Sequence, residues 1–233
     1  MKALILAAGY GKRLGEVTKS TPKCLIKYNE NQTMLDMWIK KLLNSGINNI
    51  VINTHYKSKK VIDHINMHYS KFPLIKTTFE QTILGTGMTL FKNKSYFKNS
   101  DGIILHADNY APNLNLKKFI NYHYKRPKNS EITILAFKTK DYKNSGIIKL
   151  KQNKMLKTYY EKQQKKYGSF ANGAIYILTK LSLKKFIKPK FNNLFIDICT
   201  QYKKLIYVYK YNGIFVDIGS LKNYKKIIKY NLF

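Results

Sequence analysis

The feature that most narrows what this chain can fold into lies at its start. Lys2-Ala3-Leu4-Ile5-Leu6-Ala7-Ala8 is a short, nearly unbroken apolar run without polar alternation. A strand with one wet face alternates, and a strand covered on both faces does not. The run therefore predicts an interior strand of a parallel sheet. It empties into Gly9-Tyr10-Gly11-Lys12-Arg13-Leu14-Gly15, followed by Thr21-Pro22-Lys23-Cys24-Leu25. Glycines let the backbone turn sharply and bring its N–H groups close to an anion. Lys12, Arg13 and Lys23 add cations within reach, so the segment reads as a polyphosphate site. A lone glycine pair there would be no more than a tight turn flanked by solvated lysines.

The spacing discriminates among phosphate loops. A Walker loop needs Gly-Lys-Ser/Thr after a four-residue gap from its first glycine, and Gly11-Lys12-Arg13 does not supply it. The dinucleotide fingerprint needs a third glycine where Leu14 stands, and an acidic residue after the second strand, where Asn53-Thr54-His55 stands. The string Leu6-Ala7-Ala8-Gly9-Tyr10-Gly11-Lys12-Arg13-Leu14, joined to Pro22-Lys23-Cys24-Leu25, resembles the signature of the sugar-phosphate nucleotidyltransferases. In that resemblance the family's catalytic basic pair falls on Arg13 and Lys23, with nucleotide contacts at Ala8, Gly9, Gly11 and Lys12.

Downstream, apolar runs alternate with amphipathic stretches. After the polar turn Tyr28-Asn29-Glu30-Asn31-Gln32, Thr33 can cap a helix carrying Met34, Leu35, Trp38, Leu42 and Leu43, which Gly46 ends. Asn49 to Thr54 predicts a second strand, and Ser58 opens a helix with Val61, Ile62, Ile65 and Tyr69. Leu74 to Phe79 predicts a third strand. It runs into Glu80-Gln81-Thr82-Ile83-Leu84-Gly85-Thr86-Gly87, a loop of the kind that binds ligands at strand ends in open α/β sheets. Gly102-Ile103-Ile104-Leu105-His106 predicts a buried strand that ends at Asp108, a carboxylate that must be solvated, paired or metal-bound. A helix over Leu116–Tyr124 and a strand over Glu131–Phe137 follow. Gly146–Ile148, Met155–Tyr160 and Gly173–Leu178 are strands with shorter connections, which makes the second half β-rich. Asp197 on a late helix reads as a surface carboxylate. Another strand spans Leu205–Tyr211, and Ser220 can cap the terminal helix. His55, His64 and His68 lack a helix-borne Glu and read as surface histidines rather than a metal site.

The resemblance continues in order along nearly the whole chain. Glu80 and the Leu84-Gly85-Thr86 segment fall where the family contacts base and ribose. Ala107-Asp108 stands in place of its Gly-Asp, whose Asp holds Mg²⁺. Glu161-Lys162 matches its sugar-site pair, although Gln163 replaces the usual proline, and Asn172-Gly173-Ala174-Ile175-Tyr176 matches its Asn-Ala-Gly-Ile-Tyr. Asp217-Ile218-Gly219 matches a segment whose Asp is the second metal ligand. The resemblance thus implies sugar contacts at Gly146, Glu161, Lys162 and Asn172, and Mg²⁺ as cofactor on Asp108 and Asp217. It also implies an α/β fold: three αβα layers, Rossmann-like and glycosyltransferase-A-like, around a mixed, mainly parallel central sheet. Residues 1–233 would form one domain, with a nucleotide half over 1–140 and a sugar-phosphate half over 141–233. Ending at Phe233, directly after the last predicted helix, the chain is expected to lack the hexapeptide acyltransferase extension of some relatives.

Composition bounds the alternatives. The formal net charge of +31 invites a nucleic-acid reading, but Arg13 and Arg126 are the two arginines among 43 basic residues. The lysines are spread along the chain among Asn, Tyr and Ile, whereas base readout favours clustered arginines. We expect no specific nucleic-acid partner. No apolar run approaches the roughly 18–20 residues a membrane span requires. Two cysteines, Cys24 and Cys199, make neither a disulfide framework nor a metal cluster. The expectation is a cytoplasmic enzyme, with room for a homodimer, joining a nucleoside triphosphate to a sugar 1-phosphate. The segment after the second strand and the Gly85-Thr86-Gly87 loop look most like guanylyltransferases acting on mannose or heptose 1-phosphate. Uridylyl- and cytidylyltransferases remain open, as does a non-catalytic nucleotide-sugar-binding relative.

Overall fold

A computed structural model describes residues 1–231, the side chains of 230 and 231 excepted. Phe233, the end on which the expected lack of an extension rests, lies outside the described residues. In chain order the first strands are β1 (Lys2–Leu6), β2 (Lys27–Asn29), β3 (Gln32–Thr33), β4 (Ile50–Thr54), β5 (Ile75–Phe79), β6 (Gly102–His106) and β7 (Asn109–Tyr110). They are followed by β8 (Ile132–Lys138), β9 (Gly146–Leu150), β10 (Leu156–Glu161), β11 (Phe170–Leu178), β12 (Ile206–Tyr211) and β13 (Val216–Asp217). The helices are α1 (Glu16–Ser20), α2 (Met34–Leu43), α3 (Ser58–Tyr69), α4 (Thr86–Asn93), α5 (Leu116–Tyr124), α6 (Lys180–Lys185), α7 (Leu194–Gln201) and α8 (Leu221–Asn231). The expected α/β class with a mixed sheet is what the chain adopts.

The described elements sort into two compact units, one of residues 1–84, 105–113 and 214–231, the other of residues 85–104 and 114–213. These units cut across the 1–140 and 141–233 halves.

In the first unit β4 lies between β1 and β5, all parallel, with Leu6 opposite Asn53 and Thr54 opposite Phe79. Ala3, Leu4, Ile5, Ile50 and Ile52 are fully buried, which explains why these strands carry no polar alternation. Thr33 caps α2 reciprocally: Asp36 N donates to Thr33 Oγ1 and Thr33 N donates to Asp36 Oδ2. Such a cap contributes about 1 kcal/mol. Leu35, Trp38, Ile39 and Leu42 on α2 are fully buried, each apolar side chain stabilising the fold by about 1.5–3 kcal/mol. The turn expected at residues 28–32 is a small antiparallel hairpin, β2–β3, too short and polar to show strand periodicity.

In the second unit β11 runs antiparallel to both β8 and β9, β10 pairs with β9, and β12 lies parallel beside β8. The ladder between β11 and β8 breaks between Asn172 and Tyr176, where Ala174 takes a left-handed φ of 51°. A bulge of this kind re-aims the side chains around it. Asp197, expected at the surface, is 1% exposed. Its Oδ1 accepts from Lys190 N and Phe191 N, so a surface prediction from helix position fails where a returning loop buries that face.

Candidate active site

The glycine loop leaves β1 and is pinned by its own sequence. Gly11 adopts φ +70°, and a Cβ there would meet Thr18 Cγ2 at 2.7 Å, so only glycine fits. Thr18 Oγ1 donates to the carbonyl of Gly11 at 3.1 Å. A Cβ on Gly9, by contrast, would enter open space, leaving the loop's outer side clear for a ligand. Lys12, Arg13 and Leu14 form a short 3₁₀ turn, with Lys12 and Arg13 exposed and Leu14 buried. Pro22 leads into a second such turn that carries Lys23.

Tertiary structure joins the two expected metal carboxylates. The end of β6 lies beside the end of β1, where Ala107 N donates to the Leu6 carbonyl at 3.0 Å. Two-residue strands then pair β7 with β13, Asp217 opposite Asn109, and Ile218 N donates to the Asp108 carbonyl at 3.1 Å. Trp38 Nε1 fixes this corner through the Asn109 carbonyl at 2.9 Å. Lys23 Nζ makes an ion pair with Asp108 and lies 3.6 Å from Asp217 Oδ1. Arg13 reaches the same place: a Cβ on Gly219 would lie 2.8 Å from Arg13 Nη2 and 3.0 Å from Asp217 Oδ2.

These charges set one another. Burial works against the Lys23 cation, but Asp108 and Asp217 outweigh it, so its pKa sits above the ordinary lysine value. Burial likewise works against the Asp108 anion, yet the Lys23 charge holds its pKa below the usual carboxylate range. Asp217, although 55% exposed at its side chain, is shifted upward by partial desolvation and by the Asp108 charge. Two anions and two cations thus share one corner, and the more exposed carboxylate is the one more easily protonated. His106 lies just before Asp108 with its Nε2 buried and unpartnered, and burial lowers its pKa. Burial pushes the Cys24 thiol up to about 12, which keeps it from acting as a nucleophile.

The donor chemistry suits magnesium. Asp108 and Asp217 offer hard oxygens, and among the described residues no third His, Cys, Asp or Glu joins them to make a metal-holding group. Mg²⁺ commonly takes one or two carboxylates and completes its shell with water and substrate phosphate, whereas a structural zinc site needs four protein ligands.

The remaining expected residues fall into two sets. In the first unit Ala8 is buried, Lys12 Nζ sits 5.3 Å over the Tyr10 ring, and Glu80 is 6% exposed. Glu80 Oε1 accepts from Asn53 Nδ2 at 2.9 Å, and its Oε2 accepts from Leu84 N at 3.4 Å. In the second unit Gly85 has φ +82° and Thr86 Oγ1 accepts from Leu194 N at 2.9 Å. Gly87 has no room for a side chain, since a Cβ would lie 2.3 Å from Asp197 Oδ2. The sugar candidates line up across three strands. Glu161 pairs with Gly146, and because Ile147 pairs with Ala171, Gly146 lies beside Asn172. Glu161 Oε2 lies 2.7 Å from where a Gly146 Cβ would be, so the glycine makes space for the carboxylate. Asn172 is held by the bulge, accepting from Ala174 N at 3.0 Å and donating to Tyr176 Oη at 2.9 Å. Lys162 is exposed at φ 44°, just past the end of β10.

Sequence reasoning missed Asn53, whose Oδ1 accepts from Ala7 N at 2.7 Å. An amide inside an apolar strand was the available signal, because a buried polar group must find partners. It also misplaced His64, which is half-buried with Nε2 2.8 Å from Asp36 Oδ1, while His68 is exposed.

Known proteins resemble the chain throughout. A glucose-1-phosphate adenylyltransferase of Clostridium acetobutylicum is 23% identical over 245 residues, covering 95% of this chain and 64% of its own. A putative mannose-1-phosphate guanyltransferase of Sulfolobus acidocaldarius is 24% identical over 227 residues, covering 97% of this chain and 62% of its own. The chain therefore spans less than two thirds of the length of these curated relatives. A structure of a putative glucose-1-phosphate thymidylyltransferase from Bacillus anthracis shares the fold with a TM-score of 0.85 at 20% identity, covering 99% and 94% of the two chains. No helix among the described residues is long and apolar enough to cross a membrane. The glycine loop and the paired carboxylates lie within a sequence match running from residue 2 to residue 232, and by that match the chain belongs to the nucleotidyl transferase family.

Proposed function

We propose that the protein transfers a nucleoside monophosphate from a nucleoside triphosphate to a sugar 1-phosphate, releasing pyrophosphate, in the cytoplasm. The observation that carries this reading is Lys23 held between Asp108 and Asp217, with Arg13 reaching the same corner. A phosphate oxygen of the sugar phosphate attacks the α-phosphorus in line, and the bond to the leaving pyrophosphate breaks. Two anions must meet, so positioning and cationic stabilisation carry the reaction without a covalent protein intermediate. The backbone around Gly9 and Gly11 holds the triphosphate. Lys23, kept cationic by its two carboxylates, sits where the α-phosphate and the incoming phosphate meet, and Arg13 draws off charge as pyrophosphate departs. Asp108 and Asp217 would hold Mg²⁺, which when bound supplies positive charge to phosphate oxygens. Glu80, Gly85 and Thr86 serve the nucleoside end, and Gly146, Glu161, Lys162 and Asn172 the sugar hydroxyls.

GTP with mannose or heptose 1-phosphate is the first pair to test. The Asn53-Thr54-His55 segment, the Gly85-Thr86-Gly87 loop and the guanyltransferase among the relatives support it. Pyrophosphate release across four nucleoside triphosphates and a panel of sugar 1-phosphates, with and without Mg²⁺, tests the reading. Release that needs both substrates and Mg²⁺ supports it, and a best rate with CTP or UTP moves the assignment to those activities. No release with any pair, or release independent of the sugar phosphate, overturns it.

A further inference from the structure

The end of β4 holds two separate parts of the first unit at once. Asn53, 2% exposed, uses both ends of its amide: Oδ1 accepts from Ala7 N, and Nδ2 donates to Glu80 Oε1. Two residues on, His55 Nδ1 lies 2.8 Å from the Glu80 carbonyl oxygen, which can only accept. Nδ1 therefore donates to it, and Nε2 is within hydrogen-bond distance of Tyr10 Oη at 3.0 Å. Tyr10 is 42% exposed, so the hydrogen bond and ring contacts, rather than burial, set its position. Its ring meets those of His55 and Tyr56 edge-on, with centroids 5.3 and 5.6 Å apart. Tyr56 Oη in turn donates to the carbonyl of Thr18, the residue that grips Gly11.

The glycine loop is thus held where it leaves β1, at Tyr10, and through Thr18, and two of those three holds also grip Glu80. We infer that Asn53 and His55 are positioning residues that register the glycine loop against Glu80, keeping the triphosphate and nucleoside ends of one nucleotide site at fixed spacing. The inference rests on the nucleotidyl-transfer reading above. It uses the side-chain types present: an amide can accept from Ala7 and donate to Glu80 together, whereas an Asp at 53 lacks the donor and repels the Glu80 carboxylate.

The test compares Asn53→Asp, His55→Ala, His55→Gln and Tyr10→Phe with the unaltered protein. Each is measured for steady-state kinetics with both substrates, for nucleotide binding by calorimetry, and for thermal unfolding. Asn53→Asp and His55→Ala should raise KM and Kd for the nucleoside triphosphate by about tenfold, with the KM for the sugar phosphate unchanged. Tyr10→Phe, which removes the hydroxyl and keeps the ring contacts, should give about threefold. His55→Gln should recover part of the His55→Ala loss, because its amide can both donate and accept. If Asn53→Asp does not fold, the His55 and Tyr10 variants decide alone. Unchanged nucleotide affinity in well-folded variants overturns the positioning role while leaving nucleotidyl transfer standing. Equal losses for both substrates, tracking a lowered Tm, reduce these residues to scaffold and overturn it as well. If the unaltered protein neither binds nor turns over any nucleotide, the reading of the site falls first and takes this inference with it.

Discussion

The two units differ in how they present polar side chains. In the first, turns and short strands beyond the parallel strand ends carry net charges locked in opposition: Lys23 between Asp108 and Asp217, with Arg13 beside them. In the second, antiparallel strands place Glu161, Gly146 and Asn172 in one row, with Asn172 restrained by neutral hydrogen bonds. Opposed charges of that kind suit a reaction in which phosphate charge moves. A row of hydrogen-bonding groups suits recognition of hydroxyls, whose charge does not change. The contrast teaches that altering the first unit should affect rate, and altering the second should affect the choice and affinity of the acceptor.

The sharpest way to break this comparison is to remove a carboxylate. Asp108→Ala and Asp217→Ala should each lower kcat by on the order of 10³-fold, several kcal/mol, with circular dichroism unchanged. Wild-type turnover at saturating Mg²⁺ in either variant would remove the proposed metal role. Arg13→Ala comes next, with kcat falling about 10²-fold and KM changing less, because its charge acts most as pyrophosphate leaves. Arg13→Lys should recover only part, since an ammonium is a point charge and not a planar fork. A pure KM effect in steady-state assays would move Arg13 from rate to binding.

For the second unit the expected signature is the reverse. Glu161→Ala should reduce kcat/KM for the sugar phosphate roughly ten- to a hundredfold while calorimetric nucleotide binding stays nearly constant. Equal losses for both ligands would erase the distinction between the units.

The smallest effect concerns stability, and it lies in a buried histidine of the second unit. His123 is fully buried, its Nδ1 2.7 Å from Thr133 Oγ1 and its Nε2 facing Arg126 Nη1 at 3.2 Å. Burial, and then the Arg126 charge, pull its pKa down to about 3. A neutral ring follows, so the 3.9 Å approach to Asp101 is not an ion pair. As pH falls below about 6.5 the unfolded chain takes up the proton first, and stability should drop by about 1.4 kcal/mol per pH unit from this group. His106 in the first unit is shifted in the same direction and adds to the slope. Denaturant midpoints between pH 7 and 5 check this, and His123→Gln should remove the His123 share. An unaltered slope in that variant would show that His123 does not set it.

Much of this was written locally. The largely apolar runs of β1 and β4, the capping residue Thr33 of α2, and the glycine loop could be read from residue types and spacing, because each depends on neighbours a few positions away. The family resemblance named Lys23, Asp108 and Asp217, but nothing in their spacing shows that a lysine sits between two carboxylates. That arrangement depends on β7 pairing with β13, two strands of two residues each, too short to leave any periodicity. The burial of Asp197, the partnership of His64 with Asp36 and the two-sided grip of Asn53 share that origin. Sequence determined which groups were present and which of the longer strands and helices would form around them. Their partners, and hence their charge states and freedom to move, were decided by tertiary contacts, because the energy of a buried polar group depends on what desolvates and pairs it rather than on its neighbours along the chain.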